Sequence, residues 1–83
     1  MTYEIVFEPR ALDAGARFLK EDPGGLAMVL DAIDELAHNP RPATSVPYGS
    51  QHVRRLHVGD YRVLYVIDDD VIHILVTHLG RTP

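Results

Sequence analysis

Between Thr2 and Phe7 the side chains of Tyr3, Ile5 and Phe7 alternate with Glu4, Val6 and Glu8, the period-two pattern of a half-buried strand. Pro9 closes that run and suits the first turn of a helix, where a missing N–H costs nothing. From Arg10 to Asp22 the spacing becomes helical, with Leu12, Ala16 and Leu19 on a stripe and Ala11 and Phe18 beside it. Asp22-Pro23-Gly24-Gly25 interrupts, either as an N-cap with a first-turn proline or as a plain turn. In the next segment Leu26, Val29, Leu30, Ile33, Leu36 and Ala37 recur every three or four residues, while Asp31, Asp34 and Glu35 face water. This second helix should stop at His38-Asn39-Pro40, because proline disfavours helix in the residue before it. Two helices joined so briefly form an antiparallel pair.

Arg41 to Gln51 holds two prolines, a glycine and small polar residues, and reads as a loop. Three strand-like runs follow: Val53 to Val58, Tyr61 to Ile67 and Val71 to Leu79. Gly59-Asp60 between the first two fits a type II′ turn, and Asp68-Asp69-Asp70 turns into the third. The predicted order is β-α-α-β-β-β in one domain spanning residues 1–83: an α+β fold, with a helical hairpin on one face of a small, mostly antiparallel sheet. With Gly59 and Asp60 as the turn, Val58 faces Tyr61, His57 faces Arg62, Leu56 faces Val63 and Arg55 faces Leu64. Leu56, Val58, Tyr61, Val63, Tyr65 and Ile67 then share the face that the helices cover, and Arg55, His57 and Arg62 share the other. A one-residue slip would bury Arg55, so the register is well specified.

Composition adds three constraints. Of 83 residues, 46% are hydrophobic and 24% charged, which suits a globular fold and disfavours disorder. Cysteine is absent, which removes disulfides and thiolate metal sites and fits a reducing cytoplasm. The start lacks a signal-peptide pattern and no apolar run approaches a bilayer span, so a soluble cytoplasmic protein with no membrane partner is expected. The net charge of −4 is unevenly spread. Residues 1–40 carry three basic and eight acidic side chains, hence −5, whereas residues 41–67 carry Arg41, Arg54, Arg55 and Arg62 against Asp60 alone, hence +3. The cations gather in the middle of the chain.

Arginines and a histidine converging on an uncovered sheet face suit phosphate, which guanidinium binds bidentately and whose developing charge it stabilises. Histidine there could move a proton near neutral pH, although cationic neighbours lower its pKa. The same residues would also serve as the solvated surface of an open sheet. His38, His52, His57, His73 and His78 show no metal-ligand spacing, and the three consecutive aspartates lack the oxygen ligands that calcium needs. No metal or cofactor is expected.

The segment Arg55-Leu56-His57-Val58-Gly59-Asp60-Tyr61-Arg62-Val63-Leu64-Tyr65 resembles the signature of the RelE/ParE superfamily of bacterial toxins, which typically reads Arg-Leu-Arg-Val-Gly-Asp-Tyr-Arg-Val-hydrophobic-Tyr. Leu36-Ala37-His38-Asn39-Pro40 is similar to the family's Leu-x-x-Asn-Pro, and the acidic turn and final strand match as well. The resemblance implies a type II toxin–antitoxin toxin. In the RelE branch such a toxin cleaves mRNA on the ribosome, with the 2′-hydroxyl as nucleophile and no metal. It implies catalytic roles for Arg62, at the scissile phosphate, and for Arg55, His57 and Arg81, with Arg41, Arg54, Arg55 and Arg62 binding RNA. His57 stands where arginine is usual. Arg81 is either the family's tail arginine one place early or a replacement for the residue before it. The resemblance also implies a cognate antitoxin, with operator DNA bound only by the toxin–antitoxin pair. Two other outcomes stay open: a ParE-like inhibitor that binds a topoisomerase such as gyrase, and a catalytically degenerate module that keeps only its antitoxin-binding surface.

Overall fold

The computed structural model describes residues 2–82. Its elements are β1 (Glu4–Phe7), α1 (Pro9–Glu21), α2 (Pro23–Glu35), β2 (Ser45–Pro47), β3 (Val53–Val58), β4 (Tyr61–Asp68) and β5 (His73–Arg81). The five strands form one sheet in the order β1-β5-β4-β3-β2, parallel at β1–β5 and antiparallel elsewhere. Both helices lie on one face, α1 against β5 and α2 reaching β3. The α+β architecture is the one the patterning predicts, with one strand more.

That strand, β2, lies inside the segment expected to be a loop. Three residues including a proline carry no period-two signal, yet they pair on the outer edge of β3 through Ser45↔Leu56, Val46↔Arg55 and Pro47↔Arg54. Proline is tolerated there because an edge strand has N–H groups that need no partner.

The chain between the helices is organised by one carboxylate. Asp22 follows α1 directly and caps α2, its Oδ1 accepting from the Gly25 N–H at 3.1 Å with Pro23 in the first turn. At the far end α2 unwinds one turn sooner than expected. Leu36, Ala37 and His38 donate to the carbonyls three residues back, a tighter winding that leaves His38 in a turn beyond the helix.

Burial confirms the covered face of the central hairpin: Leu56, Tyr61, Val63, Tyr65 and Ile67 meet Leu26, Val29, Ile33 and Leu36 of the second helical segment. On α1 the predicted stripe is displaced. Ala11 and Phe18 are buried and Ala14 packs against the core, whereas Leu12 and Leu19 are 56% and 53% exposed. Residues 11, 14 and 18 also fall on one helical face, and two alanines let the helix sit close to β5. Phe18 then anchors it by an edge-on contact with Tyr61, with ring centroids 5.4 Å apart.

Strand β5 contains the irregularity with the largest consequence. It begins at His73, after Val71 and an Ile72 held at φ 57°. Its pairing with β4 runs Tyr65↔Val76 and then Leu64↔His78, so Thr77 is an extra residue, a β-bulge whose hydroxyl donates to the Leu64 carbonyl at 3.3 Å. Strict alternation after Ile74 and Val76 would have put His78 in the core and Leu79 outside. The bulge inverts this: Leu79 is buried opposite Val63, and His78 stands exposed on the open face.

Candidate functional site

The open face is built by the hairpin of β3 and β4. Gly59 takes φ +56° at the first turn position, the mirror-image geometry that matches strand twist. The register is His57↔Arg62, Leu56↔Val63 and Arg55↔Leu64. Because Tyr61 and Val63 are buried on the helix side, Arg62 projects from the opposite side beside Arg55 and His57.

Each of these side chains is lightly held. Arg55 Nε donates to His57 Nε2 at 3.1 Å, and its guanidinium lies 5.4 Å above the Tyr48 ring. Arg62 Nη1 donates to the Tyr61 carbonyl at 3.2 Å. Among the described residues neither guanidinium forms an ion pair with a carboxylate, so most of their N–H donors remain for an incoming anion. Arginine cannot accept a hydrogen bond, so His57 Nε2 must present its lone pair to Arg55, which requires the neutral ring. Partial desolvation, then the charges of Arg62 and Arg55, hold the His57 pKa below the ordinary histidine value.

The bulge adds a fourth group. His78 pairs with Leu64 one row along, and its Nε2 lies 2.9 Å from where a Cβ on Gly80 would stand. Gly80 is the partner of Arg62. The ring of His78 therefore leans over the strand position next to Arg62, a site that alternation along the sequence had hidden. The available signal was the three-residue gap between Val76 and Leu79.

The other arginines expected at the site lie elsewhere. Arg81, shifted to the helix side by the same bulge, contacts Glu21 at 2.8 Å and Asp22 at 3.8 Å, and packs over the Phe18 and Tyr61 rings. Arg54 points to the covered face and donates to Ser45 Oγ at 2.9 Å and to the Ser45 carbonyl at 3.1 Å. Arg41 reaches Asp69 at 3.3 Å beside the Tyr3 hydroxyl, at the β4–β5 turn. That is about 20 Å from Arg62 at the strand rise of about 3.3 Å per residue. Among the described residues no three His, Cys, Asp or Glu side chains gather in metal-binding geometry.

Two further surfaces border the site. Beyond Leu64 the open face becomes apolar, with Val6, Val66, Val71 and Leu75 around a shallow hollow closed by Asp68 and His73. On the other side of the molecule a groove of about 210 Å³ between the helices is lined by Leu12, Leu19, Leu26 and Leu30. No described helix is long and apolar enough to cross a membrane.

Comparison with known proteins gives this geometry a family. Residues 26–82 match the family described as "ParE toxin of type II toxin-antitoxin system, parDE". No curated protein sequence matches the chain. Among solved structures, the RelBE2 toxin–antitoxin complex from Mycobacterium tuberculosis matches at 25% identity and TM-score 0.74, covering 98% of this chain and 99% of that one. The archaeal RelE–RelB complex from Pyrococcus horikoshii matches at 23% identity and TM-score 0.79, over 98% and 96% of the two chains. The isolated E. coli RelE toxin matches at 18% identity and TM-score 0.84, over 98% and 85%.

Proposed function

The chain belongs to the ParE toxin family of type II toxin–antitoxin systems, and on that footing we propose that it is a metal-independent endoribonuclease that cuts mRNA on the ribosome and is neutralised by a cognate antitoxin. The observation that carries this reading is the pair Arg55 and Arg62, projecting together from the helix-free face with no carboxylate partner among the described residues. The free donors of Arg62 face a phosphodiester placed on that surface, and Arg55 supplies a second guanidinium one row away. Charge developing on the phosphate during 2′-hydroxyl attack is stabilised by these donors without a metal. His57 is neutral, and its Nε2, which accepts from Arg55, becomes available to take the hydroxyl proton when a bound phosphate draws the Arg55 guanidinium to itself.

Cleavage of mRNA on programmed ribosomes tests the reading. Arg62→Ala should lower the rate about 10²- to 10³-fold, the scale for losing one preorganised donor to a developing anion. It should also relieve growth arrest on expression. An Arg62→Ala protein as active as the parent would overturn the assignment.

A second reading, a toxin that binds and blocks a topoisomerase, draws on the matching family being described as ParE. Loss of gyrase supercoiling with intact mRNA would favour it over cleavage.

For the antitoxin, the occupant we assign to the groove between α1 and α2 is an apolar antitoxin segment, because Leu12 and Leu19 are large side chains left in solvent there. Complexes with an antitoxin are among the structures the fold resembles. Leu19→Glu should abolish co-purification with the antitoxin while leaving toxicity intact. Binding of operator DNA, in this reading, belongs to the toxin–antitoxin pair.

A further inference from the structure

The segment joining β2 to β3 carries an aromatic side chain that the proposed reaction leaves unused. Tyr48 follows Pro47 at the end of β2, and its N–H donates to the Val53 carbonyl at 2.8 Å, the last rung before the chain turns. Gly49 makes that turn at φ +84°, a conformation that residues with a Cβ rarely adopt. At the far end of the turn the His52 carbonyl accepts from the Ile67 N–H at 2.7 Å, so both ends are tied to the sheet. Tyr48 is held in place.

Alternation decides which way it points. Val46 pairs with Arg55, and two residues on, Tyr48 returns to the same face, the one bearing Arg55, His57 and Arg62. The Arg55 guanidinium, 5.4 Å from the ring centroid, occupies one side of the Tyr48 ring. Tyr48 is nonetheless 50% exposed, so the other side of the ring is open to solvent. Beside it the paired Val53 and Val66, and Leu64 opposite Arg55, are half-buried and form an apolar floor. An apolar partner seated here would desolvate the Arg55 guanidinium without offering it an anion. A nucleotide satisfies both parts, its base stacking on the ring while its phosphate meets the guanidinium.

We propose that Tyr48 is a nucleobase-stacking platform, holding one base of the RNA beside the phosphate that reacts. The inference rests on the ribonuclease reading and adds a base subsite to it. Arg55 and Arg62 occupy diagonal positions on adjacent strands, about 7–8 Å apart. A chain whose reacting phosphate lies on Arg62 therefore brings a neighbouring nucleotide to Arg55, and its base to Tyr48. Stacking reads the π-face and not the base edges, so every base is accepted, purines more strongly for their larger ring surface. Because stacking displaces no counterion, it adds affinity without steepening the salt dependence set by the arginines.

The test is single-turnover cleavage on programmed ribosomes of mRNAs in which each nucleotide flanking the cut is in turn made abasic. With the parent, one flanking position should be sensitive, its abasic form being cut about 5- to 150-fold more slowly, the scale of one base–aromatic stack. Tyr48→Ala should slow cleavage of the intact mRNA by a similar factor and lose that sensitivity, since removing the base then costs nothing further. Tyr48→Leu fills the same space without a π-face and should behave as Tyr48→Ala does, whereas Tyr48→Phe should keep both rate and sensitivity. If Tyr48 acts only by steadying Arg55, Tyr48→Ala will slow every substrate alike and the abasic penalty will persist. That result overturns the platform while the ribonuclease reading stands, as does a parent with no sensitive position or a Tyr48→Ala protein as fast as the parent. An mRNA left whole by the parent overturns both.

Discussion

The Tyr65 hydroxyl donates to the Pro40 carbonyl at 2.6 Å, fastening the turn after α2 to the centre of the sheet. The ring is fully buried in the core, so Tyr65→Phe removes one oxygen and changes little else. A hydrogen bond contributes about 0.5–1.5 kcal/mol net, and the upper half of that range applies where the abandoned carbonyl has limited access to water. A loss of about 1–1.5 kcal/mol lowers the Tm of a domain this size by about 5–10 °C, which thermal unfolding followed by circular dichroism will measure. Burial raises the Tyr65 pKa above its usual 10.0, against opposing contributions from Ser45, Arg54 and Arg41. A raised folded-state pKa means that the contribution is complete below the unfolded value, about 10, and is lost as pH rises through the folded one. The gap in Tm between the parent and Tyr65→Phe should therefore narrow above pH 10. Equal melting at pH 7, or a gap unchanged up to pH 11, would refute this account of how the Pro40 turn is held.

Three further outcomes follow from the same packing and pairing. Gly59→Ala should cost about 1–2 kcal/mol because φ +56° is strained for any residue with a Cβ, whereas Gly24→Ala in the first turn of α2, where nothing lies within 4 Å of the new methyl, should be neutral or mildly stabilising; chemical denaturation separates the two. Arg81→Ala should keep RNA cleavage where Arg62→Ala loses it, since Arg81 is engaged by Glu21 and Asp22 on the helix side; equal loss in both would place Arg81 back in the site. Affinity for single-stranded RNA should fall with salt at a log–log slope of about −1.4, from roughly 0.7 per phosphate contact and two available arginines, and a slope beyond about −3 by fluorescence anisotropy would mean that Arg41, Arg54 or Arg81 also reaches the strand.

Much of this fold is legible because its central hairpin has a single solution. Leu56, Tyr61, Val63 and Tyr65 belong inside, a slip would bury Arg55, and the Gly59 turn fixes the pairing, so pattern and turn chemistry agree. What escaped lies where local signals are silent or misleading. The β2 strand is too short for a period and exists because β3 offers an edge. On α1, Leu12 and Leu19 satisfy helical spacing as well as Ala11, Ala14 and Phe18 do, and only the approach of the helix to β5 decides which set is buried. The Thr77 bulge is one residue in length but inverts everything after it. Arg81 thereby leaves the open face and His78 arrives there, so the one irregular residue of the sheet decides which tail side chain stands beside Arg62.

The same exchange bears on how an acidic protein could handle RNA. Of the arginines in the basic central segment and the tail, Arg41, Arg54 and Arg81 are tied to Asp69, Ser45, and Glu21 with Asp22. That leaves Arg55 and Arg62 to meet phosphate, flanked by two imidazoles. Two free guanidiniums release few counterions, so the electrostatic pull on an isolated strand is weak. A site built this way distinguishes the reacting phosphate better than it captures the chain carrying it, because its donors act on charge that develops during the reaction. Capture must then come from a second surface that presents the RNA already extended, the role that the proposed function gives to the ribosome. The small number of free cations is thus consistent with RNA chemistry on an assembled target, and it weighs against cleavage of free RNA in solution.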